Sequence, residues 1–131
     1  MADKPMFLYL GVYSDEGSAH DGLEEVRDLH SSGVIGMYDA GIAVKQADGS
    51  VSIDKWVRHM WHGMSRNDVK ELGGTLDTNE ALLVVVGHDK LPKALKKAEL
   101  KAEKQFEKQL DAEAEDLDEL LAEAKKELLA A

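Results

Sequence analysis

The sequence predicts an α+β fold, a ferredoxin-like βαββαβ sandwich over residues 1–88 followed by a long C-terminal helical extension over residues 89–131. Three observations predict it. Apolar runs of strand length open and close the first 88 residues. Between them, two segments with helical periodicity flank an Asp48-Gly49 step that joins two further strand-like runs. Beyond His88, apolar residues recur at steps of three and four to the C-terminus with no glycine to interrupt them.

The first strand is Met6-Phe7-Leu8-Tyr9-Leu10-Gly11-Val12-Tyr13, bounded by Ser14-Asp15. Ser14 or Asp15 can cap the helix that follows. Leu23, Val26, Leu29 and His30 lie on one face of that helix, and Ser31-Ser32-Gly33 ends it. The spans from Val34 to Lys45 and from Val51 to Asp54 flank Ala47-Asp48-Gly49-Ser50, a strong hairpin signal. Ser65-Arg66-Asn67-Asp68 has the capping-box spacing that opens a second helix, and Gly73-Gly74 closes it. Ala81 to Gly87 contains five consecutive aliphatic residues, Leu82 to Val86. Such a strand is central and covered on both faces, or on one face plus a dimer interface. Strand, helix, strand, strand, helix, strand is the split βαβ plan, with two helices on one face of an antiparallel sheet and the other face left for a second copy or the C-terminal helix.

The extension is segregated by charge. Lys93, Lys96, Lys97, Lys101, Lys104 and Lys108 outnumber Glu99, Glu103 and Glu107, whereas Asp111, Glu113, Glu115, Asp116, Asp118, Glu119 and Glu123 follow with no base among them. Two such segments laid antiparallel set each basic half against an acidic half. The apolar stripe beneath, with Leu95, Ala98, Ala102, Phe106, Leu110, Leu117, Leu121 and Leu128, marks the expected interface. One continuous helix of this length is roughly 60 Å long, more than a 90-residue domain can cover. Intermolecular pairing, a hairpin broken near Leu110 to Glu113, and a solvated tail all fit the pattern.

A chain of 131 residues with 44% hydrophobic content suffices for one core. A net charge of −10 speaks against nucleic acid as the ligand. With no cysteine in the chain, disulfides, thiolate metal sites and cysteine nucleophiles are excluded, and a reducing cytoplasmic location is compatible. Met1 to Pro5 does not read as the start of a signal peptide, and no apolar run approaches the roughly 20 residues of a transmembrane helix.

Asp15 with the following helix, then Gly33-Val34-Ile35, Tyr38-Asp39-Ala40-Gly41-Ile42-Ala43-Val44 and Asp48-Gly49-Ser50-Val51 give the chain a resemblance. Over about residues 6–87 it resembles a bacterial domain-of-unknown-function family of small predicted membrane proteins with a ferredoxin-like βαββαβ core. The chain departs from that family in two places. The family's hydrophobic Gly/Ala insert is replaced by Trp56 to Met64, and the C-terminal helix is longer and more charged. The resemblance implies the fold and supplies no catalytic residues. Ser14 to Ser18 and Val84 to Gly87 also look a little like the universal stress protein family, but His88-Asp89-Lys90-Leu91 stands where a glycine-rich phosphate loop would be needed.

Chemical candidates are few. His59 and His62 lie three apart, within reach of one metal ion on a helix, and His88 or His20 supplies a third ligand. The competing reading has Trp56, Val57, Met60, Trp61 and Met64 covering a sheet edge or a subunit contact while the histidines face water or pair with carboxylates. Asp39, in an apolar strand, is a buried hydrogen-bond acceptor or a general base. Tyr9 and Tyr13 share a face of the first strand and line either a core or a pocket. No Ser-His-Asp order, P-loop or Rossmann glycine pattern is present. The expected function is therefore a non-catalytic, structural or regulatory module of the cytoplasm that self-associates or docks on a larger protein. The alternative is a small ligand- or metal-binding protein or enzyme with a site beside Trp56 to Met64.

Overall fold

The structure is a computed structural model and describes residues 6–35, 38–58, 66–88, 104–110 and 126. Strand β1 (Met6–Tyr13) pairs antiparallel with β4 (Ala81–His88), setting Leu8 opposite Val86, Leu10 opposite Val84 and Val12 opposite Leu82. On its other edge β4 pairs antiparallel with β2 (Tyr38–Lys45), which forms a hairpin with β3 (Val51–Arg58). The hairpin turn is the one its Asp-Gly step calls for. Gly49 has φ 89°, its N–H donates to the Gln46 carbonyl at 3.0 Å, and the Asp48 carboxylate accepts from the Ser50 N–H at 2.9 Å. A fifth strand, β5 (Lys104–Leu110), pairs antiparallel with the free edge of β1, so the sheet order is β3-β2-β4-β1-β5.

Helix α1 (Glu16–Ser31) starts at Asp15, whose backbone is extended and whose side-chain carboxylate accepts the Ser18 N–H at 2.7 Å. It ends where the Ser32 N–H donates to the Asp28 carbonyl at 2.9 Å. Its buried Ala19, Leu23 and Val26 pack with Tyr9, Tyr13, Ala40, Ile42, Leu83 and Val85. Helix α2 (Arg66–Gly73) packs Val69 and Leu72 against Leu8, Leu10, Val12, Ala43, Leu82, Val84 and Val86. The two helices thus lie on opposite faces of the sheet.

This corrects the expectation of two helices on one face and a bare face opposite. The cause lies in β1 and β4. Along β4, Leu82, Val84 and Val86 point one way and Leu83 and Val85 the other, all of them buried. A strand apolar on both faces demands two covers. Strand order differs as well. A ferredoxin-like plan puts β1 and β3 at the centre, whereas here the doubly apolar β4 takes a central place beside β2, and β3, with exposed Asp54, takes the edge. Two split βαβ units remain, β1-α1-β2 around β4 and β3-α2-β4 around β2. Two right-handed crossovers in this arrangement would share a face, so one of the pair carries the uncommon left hand.

The C-terminal extension also needs correction at one place. Within the segment expected to be helical, residues 104–110 are a strand. Phe106 and Leu110 are four apart, a spacing that keeps two residues on one face in either a helix or a strand. The apolar β1 needs a partner on its second edge, and seven register positions supply it. Of the rest of the extension only Lys126, in helical conformation, is among the described residues. No helix among the described residues is long and apolar enough to cross a membrane.

Candidate functional site

The site is assembled from the first turn of α1 and an irregularity in β3. With Asp15 fixed as N-cap, Glu16 and His20 fall one turn apart on the same side of α1. In the hairpin, Ile42 is opposite Lys55 but Ala43 is opposite Ile53, which leaves Asp54 as an extra residue in β3. Such a bulge breaks the strict alternation of the strand and re-aims a side chain. It delivers the Asp54 carboxylate to α1, where its Oδ2 contacts His20 Nε2. Glu16 Oε1 lies 3.8 Å from the same nitrogen.

The three groups offer one imidazole nitrogen and two carboxylate oxygens, all within 4.8 Å of one another. His20 and Asp54 are about one-third exposed and Glu16 about one-half, so the cluster is open to solutes from one side. The hydrogen bond to Asp54, its negative charge and a small burial raise the Glu16 pKa above the ordinary carboxylate value, while His20 pulls it down. Two carboxylates this close favour a shared proton or a shared cation. A nitrogen and two carboxylate oxygens suit a zinc-type divalent ion, with a fourth position left for water or a partner's ligand.

Of the sequence-predicted metal ligands, His59 and His62 lie outside the described residues. His88 closes β4 opposite Met6. It is two strands and several register steps from Asp54, about 19 Å at ordinary strand spacings, so the fold does not bring it to His20. His20, named only as a possible third ligand, is the one that lies beside two carboxylates, those of Glu16 and Asp54. Glu16 and Asp54 were missed. The Glu16-to-His20 step of four was readable on the helix, but no local pattern announces that β3 carries one residue more than β2.

The remaining candidates that the structure describes lie within the sheet and the core beneath α1. Asp39 is buried in β2 across from Arg58 and Val86 and is hydrogen-bonded or charge-paired there. Tyr9 and Tyr13 belong to the core beneath α1, not to an open pocket. Burial pushes the Tyr13 phenol up, and its contact with the Tyr9 hydroxyl partly offsets the rise. His30 meets Tyr38 edge-on, with ring centroids 5.4 Å apart. Phe106 and Leu110 of the expected interface lie in β5. Leu95, Ala98, Ala102, Leu117, Leu121 and Leu128 lie outside the described residues.

Compared with known proteins, the chain matches no family model, no curated protein and no solved structure. The resemblance to a family of small predicted membrane proteins therefore rests only on the residues that suggested it.

Proposed function

We propose that the chain is a non-catalytic divalent-cation-binding module in which Glu16, His20 and Asp54 hold one zinc-type ion. The carrying observation is the convergence, within 4.8 Å, of three donor groups from a helix and a strand far apart in sequence. The hydrogen bond to Asp54, and next that residue's charge, raise the Glu16 pKa, as expected of two carboxylates that face one position. A bound ion ties the edge strand β3 to the first turn of α1. It thereby fastens the edge strand β3, whose ladder partner in the sheet is β2. The role is structural or regulatory, since the ion joins two elements of the fold.

The test is metal content of tag-free protein, followed by calorimetric titration with zinc, manganese and calcium. The expected result is one ion per chain, with zinc tightest, and a rise in Tm on binding. Affinity falls at least tenfold in Glu16→Gln, His20→Ala and Asp54→Asn. Binding that is unchanged in all three variants but lost in His59→Ala or His62→Ala would return the site to the sequence-predicted pair and overturn this one.

A further inference from the structure

We propose that Asp48-Gly49 is a latent self-modification site, whose closure to a succinimide and reopening as isoaspartate are held back by the folded turn between β2 and β3, with Ser50 as the residue that holds it. The chemistry needs no partner but water. The Gly49 nitrogen attacks the side-chain carbonyl carbon of a protonated Asp48, a C–N bond forms, and the carboxyl hydroxyl leaves with the amide proton as water. Water then opens the ring. Attack at the side-chain carbonyl restores aspartate, whereas attack at the main-chain carbonyl routes the backbone through the side chain as isoaspartate, one methylene longer.

Two Asp-Gly steps occur in the sequence, Asp21-Gly22 and Asp48-Gly49. Glycine shields its own nitrogen least, so both are intrinsically reactive. The fold treats them differently. Asp21-Gly22 lies inside α1, where Gly22 is buried and the helical ladder engages the backbone. Asp48-Gly49 sits at an exposed turn, and a Cβ built on Gly49 would meet no atom within 4 Å. Nothing packed around this step obstructs ring closure, and an exposed turn opens locally at lower cost than a packed helix. Hydrogen bonds are what remain to restrain it.

Three of them oppose closure. The Gly49 N–H donates to the Gln46 carbonyl at 3.0 Å, which engages the attacking nitrogen. Asp48 Oδ1 accepts the Ser50 hydroxyl at 2.6 Å and the Ser50 N–H at 2.9 Å. These two bonds, the hydroxyl's first, hold the carboxyl below its ordinary pKa and so favour the ionised form. A carboxylate has no hydroxyl to lose as water and is the unreactive partner. Closure therefore runs against all three bonds and against the uptake of a proton.

Isomerisation at this step reaches the edge of the sheet. Loop length fixes the register of a hairpin. Here Lys45 is set opposite Val51, and the Gln46 N–H donates to the Ser50 carbonyl at 2.8 Å. An extra methylene in the main chain between them loosens the start of β3. The inference does not rest on the metal reading, since the turn residues are none of its ligands.

The test follows both Asp-Gly steps in the full chain during prolonged warm incubation at neutral pH, native and unfolded in guanidinium chloride. Proteolytic peptides are separated by chromatography, and electron-transfer fragmentation tells isoaspartate from aspartate. Isoaspartate at Asp48 is expected to form roughly tenfold or more slowly in the native wild type than in the unfolded chain. Ser50→Ala should speed the native rate at Asp48 about fivefold, the effect of one hydrogen bond, and leave Asp21 unchanged. Ser50→Thr keeps a hydroxyl and should stay near the wild-type rate. Equal rates in native and unfolded wild type overturn the proposal. A Ser50→Ala rate equal to wild type, or a Ser50→Thr rate equal to that of Ser50→Ala, overturns the part assigned to Ser50. So does a rise in Ser50→Ala that Asp21-Gly22 shares, because it then reports general opening of the fold.

Discussion

The hydroxyl oxygen of Tyr13 on β1 occupies the place a side chain on Gly22 of α1 would take: a Cβ at Gly22 would lie 2.6 Å from it and 3.1 Å from Leu83 Cδ2. The helix rests on the phenol, and both residues are buried. Replacing glycine by alanine in a helix ordinarily gains about 1 kcal/mol. Here overpacking costs about 1–3 kcal/mol and reverses the sign. Gly22→Ala is therefore expected to lower the urea midpoint. In a Tyr13→Phe background the same change should cost less, since the nearest atom has gone. An equal cost in both backgrounds would show that the hydroxyl is not the obstacle.

Alkaline titration follows from the same tyrosine. Burial holds the Tyr13 phenol above its ordinary 10.0, against a smaller lowering from Tyr9. A group raised on folding contributes stability that is complete below the unfolded value and lost as pH rises through the folded one. Loss of structure is thus expected to begin only above pH 10, with phenolate absorbance and circular dichroism changing together. Tyr13→Phe should flatten that alkaline loss. The phenol of Tyr38 is raised by burial too, with Arg27 pulling it down, so part of the loss remains in the variant.

The extent to which this fold was legible in the sequence depended on how local each signal was. Asp15 as N-cap, the Asp48-Gly49 turn and the aliphatic run of β4 were all readable, because backbone sterics and capping act within a few residues. Which face each helix covers was not, since the alternation in β1 and β4 is apolar on both sides and leaves the choice to tertiary packing. Residues 104–110 deceived for a related reason. Their propensities and the Phe106–Leu110 step fit a helix, and only the unpaired edge of β1, nearly a hundred residues away, favours a strand. In the site, the histidine was visible but its partner Asp54 was hidden by the bulge, which is a property of two strands together.

Acid should reveal the cap of α1. The Ser18 backbone and side-chain hydrogen bonds hold the Asp15 carboxyl below the ordinary carboxylate value of 3.8. A group depressed on folding contributes stability that is present above the unfolded value and lost as pH falls through the folded one. Asp15→Ala is expected to lower Tm by a few degrees at neutral pH and to make no difference once the pH is well below 3.8. Thermal melts of both proteins across that range provide the check; a gap that persists in strong acid would mean the variant disturbs something other than the charged cap.

Glu16 carries the opposite sign, and this separates a cation site from an ordinary ion pair. Its pKa is raised above 4.5, first by the hydrogen bond to Asp54 and next by that residue's charge. Its favourable contribution is therefore complete below the unfolded pKa and lost as pH rises through the folded value, so at neutral pH the two carboxylates repel across His20. Solvent exposure keeps the effect small. Glu16→Gln removes the repulsion and should raise the Tm of metal-free protein at neutral pH by a degree or two, while a saturating zinc concentration stabilises it far less than it stabilises the wild type. If Glu16 served only as a salt-bridge partner of His20, the variant would instead melt lower without metal, and zinc would shift both proteins equally. Differential scanning calorimetry with and without zinc, at neutral pH and again below pH 4.5 where the metal-free difference should vanish, distinguishes the two.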